Sequence, residues 1–386
     1  MVSGERPWGA GELDVDALLA DPGVRIVVCC GSGGVGKTTT AAALAVRAAE
    51  RHGRRTVVLT IDPARRLAQA LGLRELDNTP RPVAGVDAAA GGELHAMMLD
   101  MKRTFDEVVR AHTDARRADE IFANPFYQAM SSTFSGTQEY MAMEKLGQLR
   151  AGDAWDLIVV DTPPSRSALD FLDAPARLSR FLDGRMLKLL MAPARAGGRS
   201  LFSLVTASMG IFARAVQKVL GAQLLTDLSG FVAALDSTFG GFRQRAERTY
   251  QVLQDAETAF LVVAAPEPDA LREAGYFAGR LRADRMPLAG LVLNRVHDTD
   301  LPGLSAAAAS AAADALPAAH ALTAGALRVH AARMRVRDRE RRTADRFAAE
   351  FPDVPTVAVP AQPTDVHDLD GLRRIGEHLA VPVRAG

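Results

Sequence analysis

The sequence predicts an α/β protein built on a mainly parallel sheet, and three observations carry that prediction. Short apolar, β-branched runs such as Ile26-Val27-Val28-Cys29-Cys30 alternate with longer stretches in which apolar residues recur at helical spacing. The first such run passes directly into Gly31-Ser32-Gly33-Gly34-Val35-Gly36-Lys37-Thr38, a complete G-x-x-x-x-G-K-[ST] loop, and an Ala-rich helical stretch follows it. Two later runs end in Asp62 and Asp161, at the strand ends where open α/β sheets hold their ligands.

Taken in order, residues 1–22 read as a polar lead-in with a short helix at Val15–Ala20. The loop comes next. Its glycines let backbone N–H groups converge on a polyphosphate, and the start of the helix from Thr39 to Glu50 adds a favourable dipole. Lys37 would reach the β- and γ-phosphates, and the Thr38 hydroxyl would join a Mg²⁺ shell. Arg54–Thr60 gives a second strand leading into Asp62-Pro63, where the carboxylate would touch Mg²⁺ or the attacking water, or else simply start an Asp-Pro turn. A third strand is expected at Glu93–Leu99, with helical material from Asp100 to Arg117 and a Met-rich segment within 124–150. Trp155–Asp161 is an apolar strand capped by Asp161-Thr162-Pro163-Pro164, with a carboxylate placed to meet the metal. The loop Ser165–Leu169 after it would sense the γ-phosphate.

From 173 to about 257 strand signals give way to helical spacing. Leu178, Phe181, Leu182, Met186 and Leu189 are followed by Phe202, Val205, Met209 and Phe212. This is either a helical subdomain packing its own core or an adaptable apolar groove for a client. Strands return at Phe260–Ala265 and Leu288–Asn294, with a helix to about Arg282 between them. Asn294, at a strand tip, would bond a nucleotide base or cap a turn. An Ala- and Arg-rich helical stretch covers 301–350, a last strand covers Thr356–Pro360, and a helix at Leu369–Leu379 ends the pattern.

Composition narrows the function classes. Lys and Arg number 46 and so do Asp and Glu, so the formal net charge of zero argues against a nucleic-acid partner. The basic cluster between Arg333 and Arg346 is interleaved with acids and reads as a solvated face. The two cysteines, Cys29 and Cys30, are strand neighbours pointing to opposite faces, unsuited to a disulfide or a shared metal. A reduced, cytoplasmic setting is expected. No apolar stretch approaches the roughly 18 residues of a membrane span, and Ser200–Ala213 is the longest candidate.

The loop through Thr39, the Asp62-Pro63-Ala64 segment, the Asp161-Thr162-Pro163-Pro164 segment and Asn294 together resemble the ArsA family, ATPases of the SIMIBI class of P-loop proteins. The wording from Asp161 to Asp170 is most similar to the paired "anion-transporting ATPase" paralogues of high-GC Gram-positive bacteria. The resemblance implies one P-loop ATPase domain over 1–386, with about eight mainly parallel strands, helices on both faces, and a helical subdomain inserted at about 100–150 and 173–257. It implies ATP and Mg²⁺ as ligands. Gly33, Gly34, Val35, Gly36, Lys37, Thr38 and Thr39 would bind the phosphates, and Asn294, Pro360 and Pro363 would surround adenine. Thr38, Asp62 and Asp161 would serve the metal, with Asp62 activating water and Lys37 stabilising charge. A dimer with ATP at its interface is implied, as a homodimer or with a paralogue, driving a nucleotide switch. The alternative is a targeting factor carrying apolar protein or lipid-like cargo, or serving a membrane transport partner.

Two departures qualify the resemblance. The family's loop carries a Lys that reaches the partner's nucleotide where this chain has Ser32. Arg65, Arg66 or Arg166 would replace it, or a paralogue that keeps the Lys would supply it, or turnover would be slow; the heterodimer is the preferred reading. The cysteines that bind zinc or arsenite in relatives are also absent, so soft-metal activation is not expected.

Overall fold

The structure is a computed structural model that describes residues 8, 11–62, 66–124, 127–128, 137–163, 244–245, 247–299, 301 and 303–380. Arg65, Arg166, the loop Ser165–Leu169 and the Phe202–Phe212 stripe lie outside the described residues.

The chain divides into two compact units, one formed by Met1–Leu99, Leu149–Leu169 and Gln251–Gly386, the other by Asp100–Gln148 and Asp170–Tyr250. The first carries an eight-stranded sheet. Its strands are β1 (Ile26–Cys30), β2 (Arg55–Thr60), β3 (Arg81–Pro82), β4 (Glu93–Met98), β5 (Leu157–Asp161), β6 (Thr258–Ala264), β7 (Leu288–Val296) and β8 (Thr356–Pro360), in the order β3-β4-β2-β5-β1-β6-β7-β8. All pairings are parallel except the short β3 on β4. The phosphate-loop strand β1 therefore sits inside the sheet, with β5 between it and β2.

Both faces are covered, which is why the strands read as continuous apolar runs. Val27, Cys29, Val159, Leu261 and Val263 point into one core with α1 (Val15–Ala20), α2 (Lys37–His52) and α10 (Leu369–Ala380). The alternate residues Ile26, Val28 and Phe260 are also buried, pointing to the other face. There α7 (Pro268–Ala283) buries Ala274, Phe277, Ala278 and Leu281, and the 30-residue α9 (Ala321–Glu350) buries Met334 and Phe347. Helix α2 buries a run of alanines, and Ala41, Ala42 and Ala45 have no exposure, so its backbone lies close to the sheet. Leu44 on the same helix is fully buried; truncating such a leucine to Ala costs about 2–5 kcal/mol.

At the amino end of the strands one buried side chain does the tying. Arg54 donates to the carbonyls of Leu19 and Asp21 at 3.1 Å each, to that of Val24 at 2.6 Å, and to that of Asp156. The lead-in to β1 and the lead-in to β5 are thus held by one guanidinium. Its head is delocalised and weakly hydrated, which suits burial against carbonyls.

The second unit holds α4 (Met101–His112), capped by the Asp100 carboxylate, and α5 (Ala115–Ala123), capped by Asp114. Tyr127 packs edge-on against Phe105 with ring centroids 5.4 Å apart and donates its hydroxyl to Asp106 at 2.6 Å. Helix α6 (Thr137–Ala151) contributes Lys145, paired with Glu107 at 2.9 Å.

Three local differences from the sequence reading have physical reasons. The helix after the phosphate loop begins at Lys37 instead of Thr39, because Gly36 supplies its left-handed N-cap. The two-residue β3 has too little apolar pattern to announce itself. The helical stretch at 301–350 is a hairpin, with α8 (Ala306–Ala315) and α9 separated by Pro317 and a 3₁₀ turn at Ala318–His320.

Candidate functional site

The site forms where β1, β5 and β2 end side by side. Gly36 has φ 96°, a conformation that costs a side-chain-bearing residue, and a Cβ there would come within 2.2 Å of Asn294 Nδ2. Gly31 is equally constrained: a Cβ would meet the Val263 carbonyl oxygen at 2.1 Å. Helix α2 starts with no side-chain cap and no acid in its first turn. Its leading N–H groups are therefore directed at whatever the loop encloses, and an anion satisfies them.

Lys37 is 6% exposed and donates Nζ to the Ser32 carbonyl at 2.8 Å. Burial lowers its pKa, and the neighbouring Asp161 works against that shift. Thr38 donates its hydroxyl to Asp161 Oδ2 at 2.8 Å, and Thr60 donates to the same oxygen at 2.9 Å. The register explains this convergence, since Asp161 lies opposite Cys29 of β1 and opposite Thr60 of β2. Asp161 has no exposed surface, and its other oxygen, Oδ1, is buried without a hydrogen-bond partner. Burial pushes its carboxyl up to about 6, against the pull of both threonine hydroxyls and Lys37.

Asp62 is half-buried and follows the tip of β2, its backbone N–H donating to Thr60 Oγ1 at 3.2 Å. Thr60 thereby links the two aspartates. No local pattern signals that role, because the hydroxyl matters only once β5 lies beside β2.

A cleft of about 770 Å³ opens over these residues, lined by Gly34, Gly36, Lys37, Thr38, Thr39 and Asp62 and, on its other side, by Asn294, Pro360 and the 361–367 loop. Gly33 is exposed and Val35 buried, and neither lines it; Pro363 is exposed and does not line it either. Asn294 is 7% exposed and donates Nδ2 to the Val35 carbonyl at 2.8 Å, so it braces the phosphate loop from the β7 side. The residue after it, Arg295, has φ 63° at a register shift between β7 and β8 and also lines the cleft. The chain beyond is fixed to α9 by His297 against Glu340 at 2.6 Å and by Asp298 against Arg337 at 3.1 Å. Arg66 and Gln69, three residues apart on α3 (Arg66–Ala70), complete the wall beside Asp62.

The arrangement fits a nucleoside triphosphate with a divalent cation. The unpartnered Asp161 oxygen and the Thr38 hydroxyl are hard oxygen donors next to a phosphate cradle, which is the donor set Mg²⁺ takes.

Comparison with known proteins agrees with this geometry. The profile of the family described as anion-transporting ATPase matches residues 24–303. An uncharacterized protein of Streptomyces coelicolor, SCO2128, is 31% identical over 286 residues, covering 72% of this chain and 64% of its own. The ATPase GET3C of Arabidopsis thaliana is 27% identical over 278 residues, covering 69% of this chain and 65% of that protein. A putative arsenical pump-driving ATPase of Chlorobaculum tepidum is 29% identical over 163 residues, 40% of this chain and 37% of its own. The matched stretch thus spans just under two thirds of SCO2128 and of GET3C.

Proposed function

The chain belongs to the ArsA family of anion-transporting ATPases, and from that premise we propose that it hydrolyses ATP with Mg²⁺ and acts as a nucleotide-driven dimeric switch. The observation that carries the reading is the single carboxylate of Asp161, held by Thr38 of the phosphate loop and by Thr60, with one oxygen left over. A wholly structural aspartate in that position would satisfy both oxygens within the protein, since an unpaired buried carboxylate oxygen is costly.

Thr38, Asp161 and Asp62 would hold Mg²⁺, which when bound neutralises charge on the terminal phosphates. The amides of the loop and of the first turn of α2 hold the phosphate chain and need no reorganisation as charge shifts. Lys37 leaves the Ser32 carbonyl, a neutral partner, for phosphate oxygens of higher charge. Asp62, on the open side of the cleft, orients water toward the terminal phosphate and accepts its proton. Asp161 reports occupancy to the chain leaving β5, because Thr162 donates both its N–H (3.3 Å) and its hydroxyl (2.9 Å) to the Cys29 carbonyl just before the loop. Loss of the terminal phosphate changes what Asp161 touches, and Thr162 is the next residue along.

Phosphate release measured with Mg²⁺ and with excess chelator tests the activity. Activity that survives the chelator or the loss of Lys37 refutes it. Sedimentation with a non-hydrolysable ATP analogue, alone and mixed with a paralogue, tests the dimer; a chain that stays monomeric in both refutes that half.

A further inference from the structure

We propose that Arg66 supplies, from within the same chain, a second cation, besides Lys37, that contacts the terminal phosphate of the bound nucleotide. The inference rests on the ATP-binding reading above. Ser32 stands in the phosphate loop and brings no charge there. Arg66 opens α3, four residues after Asp62, and lines the same cleft wall as Lys37, Thr38 and Asp62.

Other arginines of α2 and the start of β2, farther from the cleft, have occupations. Arg47 is bound to Asp16 at 2.7 Å, Arg55 to Asp156 at 2.8 Å, and Arg54 to its carbonyls. Among the described residues Arg66 has neither an ion pair nor a hydrogen bond, and its side chain is exposed to the cleft. A planar guanidinium with five donors and no carboxylate to satisfy them is suited to phosphate oxygens.

Topology decides which phosphate. From β1, the sheet continues through β5 to β2 on one side and through β6 to β7 on the other. At about 4.8 Å per strand, the tips of β2 and β7 lie roughly 10 Å to either side of the loop. Asn294 and Pro360 line the cleft on the β7–β8 side, where the base would lie. The phosphate chain then runs across the loop toward Asp161 and Asp62, and its free end comes to the β2 side. Among the described residues Arg66 is the cleft arginine on that side; Arg295 is on the side of the base.

Equilibrium titration with a fluorescent, non-hydrolysable ATP analogue and with ADP, both with Mg²⁺, tests the assignment. Arg66→Gln should weaken the triphosphate about ten- to a hundredfold and ADP by less than about twofold, the range of a charge-assisted contact. Arg66→Lys should recover part of the loss, which also excludes a folding defect. Arg295→Gln should weaken both ligands alike. Equal losses for both ligands in Arg66→Gln, or no loss for either, would overturn the assignment while wild-type binding leaves the ATP reading intact. A wild-type chain that binds neither ligand would overturn the ATP reading, and this inference with it.

Discussion

Replacing Asp161 by Asn should make the ligand-free protein more stable while removing its Mg²⁺-dependent activity. The carboxyl sits without exposure, and burial moves it from an ordinary 3.8 to about 6. With each pH unit worth roughly 1.4 kcal/mol, keeping that group ionised at pH 7 costs about 3 kcal/mol of folding free energy. An amide keeps the acceptor oxygen for Thr38 and Thr60 but leaves its N–H₂ where the unpartnered Oδ1 was. An unmet donor there returns about 1–2 kcal/mol of the gain. The net expectation is a stabilisation of about 1–2 kcal/mol at pH 7.5. The sign with pH follows from a folded pKa above the unfolded one. The wild-type penalty is fully present above about 6 and is relieved as pH falls toward 3.8, where the folded state gains a proton the unfolded state lacks. Urea unfolding of both proteins at pH 7.5 and pH 5, without nucleotide or metal, reads the difference. The advantage of the variant should shrink at pH 5. A variant less stable than wild type by the same margin at both pH values would show that the ionised carboxylate is stabilising, and the reasoning fails.

Lys37→Ala should abolish turnover and weaken ATP binding by at least about tenfold, since a buried ammonium beside the phosphates is lost; calorimetry measures it. Asp62→Asn should bind ATP within a few-fold of wild type yet turn over about 10²–10⁴ times more slowly in a phosphate-release assay, and undiminished turnover would move water activation elsewhere. Thr60→Val leaves the Asp62 N–H unmet and takes a donor from Asp161; it should cost about 2 kcal/mol in chemical unfolding, whereas Thr60→Ser stays close to wild type. In titrations of Mg²⁺ at fixed nucleotide, the apparent metal affinity should fall as pH drops below about 6, when the Asp161 carboxyl takes up its proton.

The parts of this site carried by consecutive residues were readable in advance. The phosphate loop needs only its own glycines, its Lys and its Thr, and Ile26–Cys30 and Leu157–Asp161 announce buried strands by short apolar runs rich in Ile and Val. The parts made by strand order were not. Nothing local says that β5, some hundred residues downstream, enters between β1 and β2, and it is that insertion that turns Thr60 into a ligand of Asp161. Asn294 is expected at a strand tip, whereas β7 runs two residues further to Val296, and its hold on the Val35 carbonyl depends on how far β7 lies from the loop. Arg66 was one of three arginines open to the role of the missing Lys; of the three, it alone is among the described residues.

The guanidinium of Arg54 has a consequence at the opposite edge of the sheet. Four carbonyls from two separated segments, 19–24 and Asp156, are clamped at the entry to β1 and β5. These strands have no slack to slide past each other when a ligand arrives or departs. Displacement on ligand exchange is then expected at the peptides Ile61 and Thr162, whose N–H groups are held by the carbonyls of Asp161 and Cys29, and amide exchange should quicken there first.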